Sequence, residues 1–521
     1  MIKTRSLEFK REIQYFTLIL SLLLEPKMVD FKFQNHTLET ILLVSSLLLI
    51  FSVLSSRISS RFGVPALLLF LGIGMMAGSE GPGNIDFNNY PLSFAIGSVC
   101  LAIILFDGGL QTSWKSVRPV LKIGISLSLF GTLVTGIVTG IFSHYALALT
   151  WKEGMLLGAI VSSTDAAAVF NILSAKSLSL KGSIKQVLEL EAGSNDPVAI
   201  FLTLSVLNFV SLDGGGQFAS MGQMFILQGG IGILLGWTGG KTIQWLINNV
   251  GIEYEGLYSV LLLGLVICLF AGTSLIGGSG FLAVYIAGLV VGNSDLLHKG
   301  SITRFSDGIA WIAQILVFLT LGLLCFPSHL ILLWKEGLIL ALFMMFIARP
   351  LSVFIATQKT GMKKNERLFV SWVGLRGAAP IILATLPWGI GSPHSEYYFN
   401  LVFFVVLISV FVQGVSIPWV AGRLGVIERL KEKPFAKTGV LPSGFILIEI
   451  EVSEDAVAAD RRIVELSLPS GVLFTSIERN EHYLIPRGDT VIESGDTISG
   501  LARPSNLEFL TSLFGDARAV T

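Results

Sequence analysis

Apolar stretches about twenty residues long recur through the first 425 residues, separated by short polar or glycine-rich joints. At 1.5 Å per residue, about 20 apolar residues in a helix cover the hydrocarbon core of a bilayer. Windows of that length predict about thirteen spans, centred near residues 47, 71, 101, 131, 164, 196, 234, 264, 286, 315, 345, 378 and 411. Beyond residue 425 the pattern changes. "GVIERLKEKPFAKTGVLPSG" carries charges, then Pro and Gly, with no apolar run. "FILIEIEV" (445–452) then alternates, placing Ile446, Ile448, Ile450 and Val452 on one face of a strand. Short strands broken by Arg-Asn-Glu and Gly-Asp turns follow it. The patterning predicts an all-α polytopic membrane domain at 38–425, a linker at 426–443 and a small α/β domain at 444–521. The first 37 residues stand apart as an extension. Their one apolar run, "FTLILSLLL" (16–24), is too short to span and stops at Glu25-Pro26. It reads either as a secretory signal without a small-residue cleavage site or as an over-extended start preceding Met28.

Composition supports the division. Charged residues are 14% of the 521 and mean hydropathy is +0.74, whereas soluble chains carry about 25% charged residues. Net charge is zero, which gives nucleic acid no electrostatic footing. Cys100, Cys268 and Cys325 sit singly in apolar runs and read as small hydrophobes. The six histidines form no H-x-x-x-H pair, so no resident metal or other cofactor is expected. Alternate joints are basic ("SSRISSRFG", "QTSWKSVRPVLK", "AKSLSLKGSIKQ", "HKGSITRF", "TQKTGMKKNER"). Those between them ("GSEGPGNIDFNNYP", "SLDGGGQ", "GIGSPHSEYY") hold no Lys or Arg, Lys152 and Lys335 being lone exceptions on that side. The basic side is predicted to be cytoplasmic, which puts the C-terminal domain inside and the N-terminus outside.

Charges at membrane depth are costly, by about 2.5–3.5 kcal/mol each on insertion scales, and so point to function. "ELEAGSNDPVAIF" (189–201) carries Glu191 and Asn195, four apart on one helical face and able to pair, with Asp196 on another face, free for a cavity. Pro197 removes a backbone donor and is expected to loosen the helix there. "SSTDAAAVF" (162–170) places three hydroxyls and Asp165 at mid-span, which suits a locally unwound helix whose oxygens coordinate a bare cation. Hydroxyls bonded back to their own helix would explain the serines but not Asp165. "VGLRGAAPIILATLP" flanks Arg376 with Gly374, Gly377 and Pro380 and predicts a second broken helix. The breaks fall in the fifth and twelfth spans, an offset of seven, which fits a pair of inverted six-helix repeats. Arg349 ("FIARPL") and Arg376 are the counter-charges at depth, and an arginine does not release its proton at working pH. Asp107 in "ILFDGGL" reads equally as part of this network or as an interfacial acid before a Gly turn. Glu189 reads equally as an access-funnel acid or a solvated one. No nucleophile–base pair or phosphate loop is present, which disfavours a membrane enzyme. No T-V-G-Y-G filter is present, which disfavours a regulated potassium channel. A proton and a small cation competing for one dehydrated anionic site would be exchanged.

"SSTDAAAVF", "ELEAGSNDPVAIF", "FDGGL" (106–110) and "GLRGAAPIILA" (374–384) resemble the motifs of the cation/proton antiporter-1 family, in particular bacterial NhaP-type potassium/proton antiporters of the cell-volume-regulation kind. The resemblance implies a homodimer in the inner membrane whose protomers have crossed broken helices and work by elevator-like alternating access. It implies that Asp196, beside Asn195, carries the proton or the cation, that the Thr164 carbonyl next to Asp165 is a ligand, and that Glu191 partners Arg349. Asn195 in place of a second Asp resembles members thought to exchange one cation for one proton. The implied cargo is K+ against H+, with Na+/H+ exchange on the same scaffold as the alternative. Ala192, where some sodium-transporting relatives have Ser, separates the chain from those members. The tail resembles a TrkA C-terminal (RCK-C) regulatory domain, which implies a small-molecule or nucleotide ligand or plain dimerisation.

Overall fold

The computed structural model of the protein describes residues 38–62, 65–174, 178–211, 218–389, 392, 394–429, 445–453, 456–479 and 482–520. The N-terminal extension, the joint at 212–217 and most of the expected linker lie outside the described residues. The chain divides into two compact units, Met1–Leu430 and Lys431–Thr521.

The first unit is helical: α1 (Leu38–Phe62), α2 (Ala66–Ala77), α3 (Tyr90–Gln111), α4 (Trp114–Ala146), α5 (Trp151–Ile160), α6 (Ala167–Ser174), α7 (Ile184–Ser211), α8 (Phe218–Asn249), α9 (Glu255–Leu275), α10 (Gly280–Gly292), α11 (Lys299–Leu323), α12 (Trp334–Ala356), α13 (Lys364–Trp372), α14 (Ala378–Leu383) and α15 (Ser395–Leu424). Among the described residues, six of these (α3, α4, α9, α11, α12 and α15) are long and apolar enough to cross a membrane. Large apolar side chains such as Leu54, Phe130, Leu234 and Phe411 are more than half exposed, which suits a lipid-facing surface and would be a liability in water. This is a multi-pass membrane protein.

Two of the apolar windows are not continuous helices. That centred near 164 is α5 and α6 with non-helical backbone between Ile160 and Ala167, and that near 378 is α13 and α14 with non-helical backbone between Trp372 and Ala378. Pro197, by contrast, leaves α7 unbroken over 28 residues. α4 and α12 each contain one π-helical turn, at Leu127–Gly131 and Met344–Ala348. α3 and α10 approach closely because they meet at glycines: a Cβ on Gly109 would stand 2.9 Å from the Leu289 backbone nitrogen.

After α15, Gly425 takes a left-handed conformation (φ 68°) and turns the chain into strand β2 (Ile427–Arg429). This strand pairs antiparallel with β1 (Leu178–Leu180), which lies between α6 and α7. The start of the segment read as linker is therefore an ordered ribbon against the membrane unit.

The second unit is a five-stranded antiparallel sheet in the order β5-β4-β6-β3-β7, formed by β3 (Ile446–Val452), β4 (Val472–Arg479), β5 (His482–Leu484), β6 (Thr497–Ala502) and β7 (Gly515–Val520), with helix α16 (Leu507–Phe514). The alternation in β3 buries Ile448, Ile450 and Val452 against Phe474, Ile477, Ile498, Leu510 and Phe514. Arg479 fastens the end of β4 to the turn before β6, with 2.8 Å bonds to both carboxylate oxygens of buried Asp496, a third to the Val491 carbonyl, and a contact to Glu493.

Candidate cation site at the helix breaks

The capping box of Thr150 and Glu153 starts α5, and a second hydroxyl helps end it: Ser162 Oγ donates back to the Ala159 carbonyl at 2.7 Å. The chain then runs through Ser163, Thr164 and Asp165 before α6 begins. Its partner break is made by glycines. A Cβ on Gly377 would meet the Asp165 Cβ at 2.7 Å, and one on Gly374 would meet Arg349 Nε at 2.6 Å, so each position must be bare.

The two breaks lie against each other. The Asp165 N–H donates to the Leu375 carbonyl at 2.8 Å, and Arg376 Nη1 donates to the Ser163 carbonyl at 2.6 Å. Asp165 Oδ1 faces the Ala168 N–H at 3.4 Å at the start of α6. Helix N-termini favour negative charge and C-termini positive charge, so Asp165 and Arg376 sit where the helix ends favour them.

α7 closes the site from the side. Asn195 is buried, and its Nδ2 donates to the Thr164 carbonyl at 3.1 Å and to the Thr164 hydroxyl at 2.7 Å. Glu191 Oε1 accepts from Arg349 Nη1 at 2.6 Å, with both residues at most 3% exposed. The pair that i, i+4 spacing allows between Glu191 and Asn195 thus gives way to two contacts between helices. Asp196 faces away from both, is half-buried, and has Ser163 and Asp165 beside it.

Sequence reasoning missed the polar chain behind the second break. The Arg376 N–H donates to Ser409 Oγ at 3.2 Å, Ser409 donates to Gln413 Oε1 at 2.6 Å, and Gln413 Nε2 donates to the Trp372 carbonyl at 2.7 Å. This chain satisfies backbone groups that the broken helix leaves open. Its signal was a Ser and a Gln four apart in an otherwise apolar window. A cavity with room for about one water lies among Arg349, Gly374, Arg376, Ser409 and Gln413.

The structure leaves two of the candidate acids outside this cluster's hydrogen bonds. Asp107 is buried in α3, accepts from Gln111 at 2.7 Å and neighbours Ser306 and Asp307. Glu189 is one-quarter exposed and pairs with Lys185 at 3.5 Å. Among the described residues no group of His, Cys, Asp and Glu has the form of a metal site.

Residues 45–423 match the family model described as sodium/hydrogen exchanger, transmembrane, and residues 447–515 match the TrkA-C domain. The chain belongs to the sodium/hydrogen exchanger family. It is 40% identical over 487 residues to the K(+)/H(+) antiporter NhaP2 of Shewanella sp. strain ANA-3, covering 92% of this chain and 84% of that one. It is 37% identical to the K(+)/H(+) antiporter NhaP of Alkalimonas amylolytica, covering 92% and 83%. In fold it is similar to the sodium proton antiporter MjNhaP1 of Methanocaldococcus jannaschii at pH 8, with a TM-score of 0.65 and 24% identity, covering 74% of this chain and 99% of that one. Members of this family are transporters, and the chain is a transporter rather than an enzyme.

Proposed function

We propose that this protein exchanges cytoplasmic K+ for external H+, with Asp196 as the group that holds either one. The observation that carries the reading is the charge inventory of the crossing. Asp165, Glu191 and Asp196 supply three acids and Arg349 and Arg376 two cations, so the ionised cluster carries one negative charge in excess. A single K+ or a single proton completes it, and the cavity moves across the membrane neutral with either aboard. One-for-one, electroneutral exchange follows. The Thr164 carbonyl and hydroxyl, oriented by Asn195, and Asp165 complete the oxygen set for a monovalent cation. Glu191, Arg349 and Arg376 fix the charge around it, and Asp107 lies apart as a second buried acid.

The relatives named as K(+)/H(+) antiporters support potassium as the cargo, and Ala192 at the site gives no hydroxyl for a tighter sodium cage. The architecture on this reading is thirteen spans, as two inverted six-helix repeats (spans 1–6 and 8–13) joined by the seventh, in a homodimer of the inner membrane. The N-terminus is outside, the tail is cytoplasmic, and the crossing moves as an elevator. The domains run 38–425 for the exchanger and 444–521 for a regulatory tail that takes a small-molecule or nucleotide ligand.

The test is proton flux in proteoliposomes loaded with a pH dye, with K+ and then Na+ added outside. Exchange driven by K+ and abolished in Asp196→Asn is the expected result. A response to Na+ alone would move the cargo to sodium, and undiminished exchange by Asp196→Asn would refute the carrier.

A further inference from the structure

α7 presents two stripes. Glu191 and Asn195 form one, and both point into the crossing. Glu189, Gly193 and Asp196, at i, i+4 and i+7, form the other, which runs from the basic-loop end of the helix to the carrier. What covers this second stripe is a tyrosine. The ring of Tyr285, on α10, lies against Gly193, so close that any side chain on Gly193 would overlap it; an ideal Cβ there is 2.7 Å from the Tyr285 hydroxyl oxygen. Tyr285 is 2% exposed, and its hydroxyl oxygen accepts no hydrogen bond among the described residues. A buried hydroxyl whose lone pairs go unmatched is destabilising, which a residue used only to fill space avoids by being phenylalanine.

The surroundings say what the hydroxyl is for. Its polar neighbours are Thr112 and Glu189. Thr112 has already given its own proton to the Gly108 carbonyl at 2.6 Å, so its oxygen is left as an acceptor. The backbone that holds Tyr285 is not free to move: α10 and α3 are locked by their glycines, Gly109 against the Tyr285 carbonyl and Gly288 against the Phe106 carbonyl. The oxygen is therefore held in place on a bare glycine, midway along a line from a water-accessible acid to the carrier acid.

We propose that the Tyr285 hydroxyl is a coordination point for the dehydrated monovalent cation on its way between Glu189 and Asp196, and that it helps set the apparent affinity for that cation. The phenol proton turns to Thr112 and leaves the oxygen lone pairs to the ion on the Gly193 side. Glu189 collects the ion from water, Tyr285 replaces part of its hydration shell, and Asp196 receives it. This rests on the exchange reading above.

The experiment is the dye-loaded proteoliposome assay with K+ titrated against choline, on wild type, Tyr285→Phe and Glu189→Gln. Tyr285→Phe keeps the ring on Gly193 and removes one oxygen. Its half-saturating K+ is expected to rise about tenfold, the loss of one bond to a charged group, with the larger part of the defect in half-saturation rather than in maximal rate. The K+-dependent rise in melting temperature of the detergent-solubilised protein should shrink with it. Glu189→Gln, at a partly exposed position, gives an independent reading if Tyr285→Phe does not fold: half-saturation rises at low ionic strength and approaches wild type at high ionic strength. Unchanged half-saturation in Tyr285→Phe, or a fall in maximal rate alone, would overturn the proposal while leaving the exchange reading intact. If Tyr285→Phe does not fold, unchanged half-saturation in Glu189→Gln overturns it in the same way. A wild-type protein inert to both K+ and Na+ would instead overturn the exchange reading, and this inference with it.

Discussion

Removing one partner of the Glu191–Arg349 pair should be costly, and the cost should depend on which partner goes. The 2.6 Å contact joins two side chains that are each at most 3% exposed. For charge centres about 4 Å apart at an effective dielectric of about 20, the attraction is about 4 kcal/mol. Breaking a buried pair from one side costs about 3–5 kcal/mol. The structure adds an asymmetry. Arg376 also lies within electrostatic reach of Glu191 and Arg349, so Glu191 has a second cation near it. Arg349→Gln leaves Glu191 with Arg376 still opposite, whereas Glu191→Gln leaves two buried arginines facing each other. Glu191→Gln should therefore be the more destabilising by about 1–2 kcal/mol, and the double variant Glu191→Gln/Arg349→Met should recover most of the loss. Thermal unfolding of the purified protein in detergent, run as a double-mutant cycle, measures both statements. Equal single-variant losses would refute the role of Arg376, and a fully additive double variant would refute the pairing itself.

Gln413→Leu should cost about 1–3 kcal/mol and lower exchange, because it strands the Trp372 carbonyl behind the second break; melting temperature and dye flux read it, with Val412→Leu as control. At a joint between helices, Ser328 donates from both its hydroxyl and its N–H to exposed Glu80 and holds that carboxyl below its ordinary 4.5. A depressed acid stabilises fully above its unfolded value, so this tether should be intact above about pH 4.5 and be lost as pH falls below it. Hydrogen exchange at 78–89 should rise across that window in wild type, and at all pH values in Ser328→Ala. In the tail, Arg479→Met should cost about 2–3 kcal/mol by stranding Asp496, less than a fully buried pair because Arg479 keeps some water contact. Earlier proteolysis of residues 445–520 in the full chain would report it.

The positions of the breaks were legible because each is written in local chemistry: Ser-Ser-Thr-Asp offers hydroxyls that compete with the helix, and Gly374, Gly377 and Pro380 cannot sustain one. The intramembrane charges were legible because lipid makes charge conspicuous. Partners were harder. Helical spacing sent Asn195 to Glu191, yet Asn195 bonds across to Thr164, since only tertiary packing decides which of two allowed contacts forms. Pro197 was read as a loosening and α7 ran through it, supported by its neighbours. The β1–β2 ribbon left no trace, because three-residue strands about 250 positions apart have no periodicity to detect. The π-helical turns were equally silent, being one residue of extra winding in uniformly apolar sequence.

On the proposed reading, the crossing gives a physical reason for one acid, rather than three, to take the cargo. Asp165 stands at the start of α6 with its backbone bonded to Leu375, and Glu191 is bound to Arg349. Asp196 has no ion pair among the described residues and has Asp165, a like charge, for a neighbour. The fold thus carries at this position a charge that it does not neutralise, at a cost of about 2.5–3.5 kcal/mol on insertion scales. Asp196→Asn should then raise the melting temperature of the protein in K+-free buffer at alkaline pH while abolishing exchange, which is the stability–activity opposition expected where a group is kept for function. The same substitution should remove the stabilisation that added K+ gives the wild type. A lower melting temperature for Asp196→Asn would mean that the carboxylate is holding the helices together, and the assignment of carrier would have to move to Asp165.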